Sequence, residues 1–183
     1  MAPPLPPDCH AYGNAILSRL PFTNATSWDL SFPAGEQTIA RKVLRTTVIF
    51  GSRPVFFYTT HLSVAADSTD AEKIQQVTEV IGHVQEDLGE GNPANATAIV
   101  TGEFNERPDH VAIAETMAAM FDDAWVKVHG PNGGLTGCLD GTQPTCRIDY
   151  IFVARDTGIS PKSMTVDDDA SLSDHLSTYA RFE

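Results

Sequence analysis

Glu103 and Asn105 stand two apart in Thr101-Gly102-Glu103-Phe104-Asn105. In extended chain, residues at that spacing point the same way. A carboxylate and an amide aimed at one point can orient a water and a phosphoryl oxygen; a polar loop capping the next helix would use the same residues. Asp149 lies inside the otherwise apolar run Arg147-Ile148-Asp149-Tyr150-Ile151-Phe152-Val153. A buried carboxylate needs a partner, because desolvating it alone is costly. Arg147 would serve as an ion pair. A histidine would serve chemistry, since the carboxylate fixes its tautomer and stabilises imidazolium. Ser173-Asp174-His175 precedes the last apolar run, and His61 ends an earlier one. A lone histidine is commonly structural. Two histidines and three acids at the ends of strands point together to one functional site.

The elements that must position these residues can be read from periodicity. Asn14 to Arg19 reads as a first strand, stopped by Pro21 and followed by a polar loop through Pro33-Ala34-Gly35. Val43 to Phe50 and Pro54 to Thr60 read as strands joined by a Gly51-Ser52 hairpin turn. A long helix starts near Ser68 to Asp70, with Ala71, Ile74, Val77, Ile81, Val84 and Leu88 as its apolar stripe and Gly89 as its stop. Ala98 to Thr101 is a buried strand leading into Glu103. Pro108 opens a second helix carrying Val111, Ile113, Met117 and Met120. A Gly-rich loop spans Gly130 to Gly141, and strands follow at Arg147 to Val153, Ser163 to Val166 and Leu176 to Phe182. Strands alternating with helices, with hairpins among them, predict an α/β layered sandwich.

With 183 residues, the chain suits one domain over 13–183 behind an extended Pro-rich lead-in at 1–12. Hydrophobic residues at 42% and charged residues at 20% are ordinary for a soluble protein. No run is long and apolar enough to span a bilayer, no amphipathic segment reads as membrane-binding, and the opening residues lack a signal peptide's basic start and apolar core. The compartment is not specified by these features. The net charge of −12 argues against tight non-specific binding to duplex DNA, but it allows a hydrolase that meets one phosphate at a time through a metal ion. Cys138 and Cys146 flank a turn-rich loop and read either as a disulfide or as two free thiols, with Cys9 unpaired.

Taken in order, these motifs resemble the endonuclease/exonuclease/phosphatase superfamily, the deoxyribonuclease I-like group. The resemblance rests on Gly13-Asn14-Ala15-Ile16-Leu17-Ser18-Arg19, Thr60-His61-Leu62, Lys73 and Gln76 on the helix that follows, Gly102-Glu103-Phe104-Asn105, Arg147-Ile148-Asp149-Tyr150-Ile151-Phe152 and Ser173-Asp174-His175. It implies a layered β-sandwich flanked by helices and a phosphoesterase dependent on Mg2+ or Mn2+. It also implies roles: Asp174 and Glu103 on the metal, Asn14, His61, Asn105 and His175 on phosphate oxygens, Asp149 steadying His175, and Glu103 orienting or deprotonating the attacking water.

The sequence departs from that pattern twice. Glu103 is one methylene longer than the family's aspartate, and a misplacement on the order of an ångström can cost about a hundredfold in rate. The family's early metal-binding glutamate has no counterpart before Gly13, where Asp8 is the one acid. The family's first strands also have no counterpart here, so the expected fold is an N-terminally truncated one. A sheet face left uncovered predicts a homodimer. The leading expectation is a nuclease or related phosphodiesterase acting on nucleic acid or another diester. The alternatives are a phosphomonoesterase, a phospholipase-type enzyme, and a catalytically impaired binding or scaffold relative.

Overall fold

The computed structural model describes residues 13–31, 40–64, 68–89, 95–138, 140, 143–169, 171 and 173–183. The lead-in at 1–12, with Asp8 and Cys9, and the segment Pro33-Ala34-Gly35 lie outside the described residues. Eight strands and two α-helices are described: β1 (Phe22–Asp29), β2 (Lys42–Phe50), β3 (Arg53–His61), α1 (Asp70–Leu88), β4 (Thr97–Glu103), β5 (Phe121–Asp123), α2 (Ala124–His129), β6 (Asp149–Ala154), β7 (Pro161–Val166) and β8 (Thr178–Phe182). A six-stranded sheet runs in the order β1-β2-β3-β4-β6-β5, and β7 and β8 form a second, two-stranded sheet. Only the β3–β4 pair is parallel among the described ladders, so α1 serves as its crossover.

Period-two alternation divides the central strands between two cores. Phe56, Tyr58, Ala98, Val100, Tyr150 and Phe152 face α1, where Val77, Val80 and Val84 are fully buried. Val55, Ile99, Ile151 and Val153 face the other way, against Ala124 of α2 and Met164 of β7. His61, Glu103 and Asp149 continue this second face at the strand ends. The result is the layered α/β sandwich that the sequence implies. The β2–β3 hairpin turns at Gly51 as expected, and α1 starts as expected. Thr69 caps α1 and forms a reciprocal capping box with Glu72.

Three expectations are corrected. Asn14 to Arg19, read as a strand, carries no regular secondary structure, because no described strand offers it a ladder. The segment read as polar loop instead holds β1, an edge strand paired to β2 and exposed along almost its whole length. With neither face buried, β1 lacks the alternation that reveals a strand. The helix expected from Pro108 is a π-helical turn (Ala112–Thr116) followed by a 3-10 turn (Met117–Ala119). In this wider turn the Met117 N–H reaches the carbonyls of both Ala112 and Ile113.

The sheet is pinned at Gly102. Its φ is +144°, and a Cβ there would lie 2.0 Å from the Thr60 carbonyl oxygen across the β3–β4 ladder. Only glycine fits this conformation and this approach. Gly102→Ala should destabilise the fold by at least about 3 kcal/mol, read by urea denaturation, because both strain and overlap must be relieved by moving backbone.

Candidate active site

Strand register builds the site. His61 pairs with Glu103 across the parallel β3–β4 ladder, and Glu103 pairs with Asp149 across β4–β6. Three residues far apart in sequence thus stand side by side on one face. His175 completes the group from the segment before β8: its Nδ1 lies 2.7 Å from Asp149 Oδ2 and its Nε2 lies 3.8 Å from Glu103 Oε1. His61 Nε2 is 3.3 Å from Glu103 Oε2.

Asn105 joins them through His61. Its Nδ2 donates to the Leu62 carbonyl at 3.0 Å and lies 3.0 Å from His61 Nε2. A carbonyl can only accept, so the amide orientation is settled and His61 Nε2 must accept as well. That requires a neutral ring with its proton on Nδ1. Burial, then the positive charges of Arg41 and His175, lowers the His61 pKa to about 4, in agreement. Burial also raises Glu103 above the ordinary carboxylate range. The charges of Asp149 and Asp174 push the same way, against the pull of His175 and Arg41. For His175, burial opposes protonation, but Asp149, Glu103 and Asp174 outweigh it and raise the pKa.

The loops carrying these residues are fixed by buried polar contacts. Fully buried Lys73 of α1 donates to the Asn105 carbonyl at 3.2 Å and to Glu106 at 2.6 Å. Tyr150 donates to the Glu106 carbonyl at 2.8 Å. Gln76, also fully buried, accepts from Ser63 N–H and donates to Ser63 Oγ and the Ser31 carbonyl, holding the chain beyond His61. Arg147 does not neutralise Asp149: it pairs with Asp123 at 2.6 Å and lies over the Tyr150 ring. The partners of Asp149 are His175 and Thr136, the latter at 2.6 Å. Cys138 and Cys146 form a disulfide, with Cα atoms 5.5 Å apart. Closing so short a loop contributes about 2–3 kcal/mol in the chain-entropy model.

The expected site residues are placed unequally. His61, Glu103, Asn105, Asp149 and His175 converge. Asp174 is exposed; its described hydrogen bond comes from Ser173 at 3.4 Å, and it acts on Glu103 and His175 through charge. Asn14 donates to the Lys42 carbonyl that Thr60 also uses, and no described hydrogen bond joins it to the convergent group. Among the described residues, Glu103, Asp149 and His175 form the one set of three whose donor atoms lie within 4.8 Å of one another. The two carboxylates could hold a divalent cation, while the imidazole keeps its Nδ1 on Asp149. Two contributors escaped sequence reading: Arg41, a buried cation just ahead of β2, and Thr136, set among glycines with no periodic signal.

A cavity of about 520 Å3 adjoins Asn105 and is lined by Glu106, Arg107, Asp109 and His110. An apolar cavity of about 450 Å3, walled by Ile16, Leu17, Phe57, Ile99, Ile159 and Phe182, holds none of the convergent side chains. The chemistry places the site at the strand ends.

A family model described as the Endonuclease/Exonuclease/phosphatase family matches residues 2–175. The chain belongs to that family. No curated protein sequence matches it significantly. Among solved structures, this family member is similar to the mannosyl-6-phosphatase of Bacteroides thetaiotaomicron, with 20% identity and a TM-score of 0.69 over 88% of this chain and 67% of that one. It is also similar to TDP2 of Danio rerio complexed with a single-strand DNA product, with 22% identity and a TM-score of 0.66 over 88% and 68%. The human Nocturnin catalytic domain with bound sulfate aligns at 18% identity and a TM-score of 0.65 over 88% and 59%. At these identities the likeness establishes the fold. The chain spans about two thirds of the length of the structures it matches.

Neutral His61 makes a pH prediction for the metal-free protein. Its folded pKa is depressed to about 4 from the ordinary imidazole value of 6.5. Below about 6.5 the unfolded chain therefore binds more protons, and stability falls as the pH drops toward 4. Glu103 and His175, shifted upward, act in the opposite sense, so the quantity to read is the difference between wild type and His61→Asn. Urea denaturation from pH 8 to 4 (a range of roughly four units about the imidazole value) should show that difference shrinking in acid.

Proposed function

We propose that this family member hydrolyses phosphodiester bonds with the help of a divalent cation, most naturally as a nuclease. The observation that carries the reading is the Asp149–His175 hydrogen bond beside Glu103, at a place where His61 and Asn105 also converge. Glu103 and Asp174 would hold the cation beside the Asp149–His175 pair, both acids acting on His175 through charge. A bound Mg2+ or Mn2+ supplies charge stabilisation at the phosphoryl oxygens.

The chain's own groups do the rest. Glu103, made more basic by burial, orients the attacking water and takes its proton as the new P–O bond forms. His175, with Nδ1 committed to Asp149, presents Nε2 to a phosphoryl oxygen or protonates the leaving oxygen as the old P–O bond breaks. His61, Asn105 and Asn14 are assigned to phosphate oxygens, with the Asn105 amide exchanging its hydrogen bond to His61 for one to the substrate, and the charge of Arg41 favours an anion there. The acidity of the chain, −12, favours substrates that present one phosphate at a time, single strands or small diesters, over tight duplex binding. No described helix is long and apolar enough to cross a membrane.

A phosphomonoesterase is the second reading, favoured by the likeness to a sugar-phosphate phosphatase. Purified protein offered plasmid DNA, bis-p-nitrophenyl phosphate and a phosphomonoester should cleave the diesters with Mg2+ or Mn2+ and stop with chelator. Monoester release alone would move the assignment to the second reading. Silence on all three by folded protein would leave a binding or scaffold relative. His175→Ala should lower kcat about 10²–10⁴-fold. Glu103→Asp separates a detuned site, which would speed up, from one rebuilt around glutamate, which would slow down.

The homodimer belongs to the same proposal. Leu17, Leu20, Phe22, Ile49 and Phe50 are exposed apolar side chains on or beside the β1–β2 edge. Light scattering at high concentration should return the mass of two chains, and a clean monomer would remove the idea.

A further inference from the structure

Thr136 is 1% exposed and hydrogen-bonds Asp149 and the residue that follows His175. Its hydroxyl oxygen lies 3.3 Å from the Asp149 N–H donor and 3.5 Å from that of Ile148, accepting from both. A hydroxyl has two acceptor positions and one proton. With both acceptors used, the proton has one destination, Asp149 Oδ2 at 2.6 Å. That oxygen also receives His175 Nδ1. The carboxylate is thus held between two donors and cannot rotate without breaking one.

The main chain of Thr136 ties in the remaining segments. Its carbonyl accepts from Leu176 N–H at 2.7 Å, the residue after His175. Its N–H donates to the Cys146 carbonyl at 2.8 Å, and Gly137 exchanges hydrogen bonds with Cys146 in both directions. Gly137 lies so close under the histidine that an added Cβ would stand 3.1 Å from His175 Cε1. The Cys138–Cys146 disulfide closes the hairpin that carries all these contacts.

We propose that Thr136 is the positioning residue that sets the Asp149–His175 pair, and that the disulfide-closed loop is the brace that holds Thr136 in place. The catalytic consequence rests on the phosphoesterase reading above; the positioning itself does not. Partners of this kind, one step removed from the reacting groups, are worth about 10–100-fold when removed.

The test compares Thr136→Val, which keeps the shape and loses the hydroxyl, Thr136→Ser, which keeps the hydroxyl, and the double variant Cys138→Ser/Cys146→Ser. On bis-p-nitrophenyl phosphate, Thr136→Val and the cysteine variant should lose kcat about 10–100-fold with KM little changed. Thr136→Ser should keep most of the rate. Crystal structures of the variants should show the Asp149 carboxylate turned away in Thr136→Val and in place in Thr136→Ser. Wild-type kcat in Thr136→Val, an equal loss in Thr136→Ser, or an undisturbed pair in the Thr136→Val structure overturns the proposal. If Thr136→Val fails to fold, the cysteine variant decides: wild-type kcat with an undisturbed pair overturns it. If wild-type protein hydrolyses no phosphoester, the functional reading fails, and the crystal structures still decide the positioning.

Discussion

Ladder register across β3, β4 and β6 is the constraint on which everything else depends. A strand's side chains change face with each residue, so a slip of one position would carry Glu103 from the site to the α1 side of the sheet. Two features resist that slip. Gly102 admits no side chain against Thr60, so only this alignment lets the strands close. The two cores on opposite faces then assign every alternate residue of the central strands to one side or the other. His61, Glu103 and Asp149 stand together because the apolar residues of β3, β4 and β6 beside them are packed.

Polar burial completes what the register begins. Lys73 and Gln76 lie on the buried side of α1, where the hydrophobic stripe alone would suggest apolar residues. Each has its hydrogen-bonding groups engaged with the loops that leave β3 and β4. Removing one partner of such a buried pair is costly, since the other is left without solvent. The helix is therefore both the crossover that makes β3 and β4 parallel and the clamp on the loops bearing Leu62 and Asn105. One element answers for topology and for loop geometry.

Much of this was legible in the residues. Buried strands announce themselves by β-branched and aromatic runs, and β2, β3, β4 and β6 were all readable on that basis, as was α1 from its stripe. The convergence of Glu103, Asn105, Asp149, His175 and His61 was readable from residue type at strand ends together with the family resemblance. What escaped has physical reasons. Edge strand β1 buries almost nothing, so its sequence carries no alternation. Strand β5 and helix α2, three and six residues long, are too short for a period to show. Val80 is fully buried although the expected stripe omitted it. The partner of Asp149 could not be chosen from sequence, because Arg147 stood two residues away; only geometry shows Arg147 turned to Asp123. Thr136 owes its importance to five hydrogen bonds with residues distant in sequence, which no local pattern records.

The contacts that assemble the site span long stretches of chain: 44 residues separate His61 from Asn105, and 26 separate Asp149 from His175. The parallel pairing of β3 and β4 must likewise wait for the intervening helix. Such non-local closure places the site among the last features to form, since loop-closure entropy is spent before these contacts return anything. A partly collapsed chain can hold secondary structure and a nascent α1 core while the convergent side chains are still apart. Formation of the Asp149–His175 contact during refolding would therefore trail recovery of helical signal, making that contact a stricter reporter of completed assembly than circular dichroism.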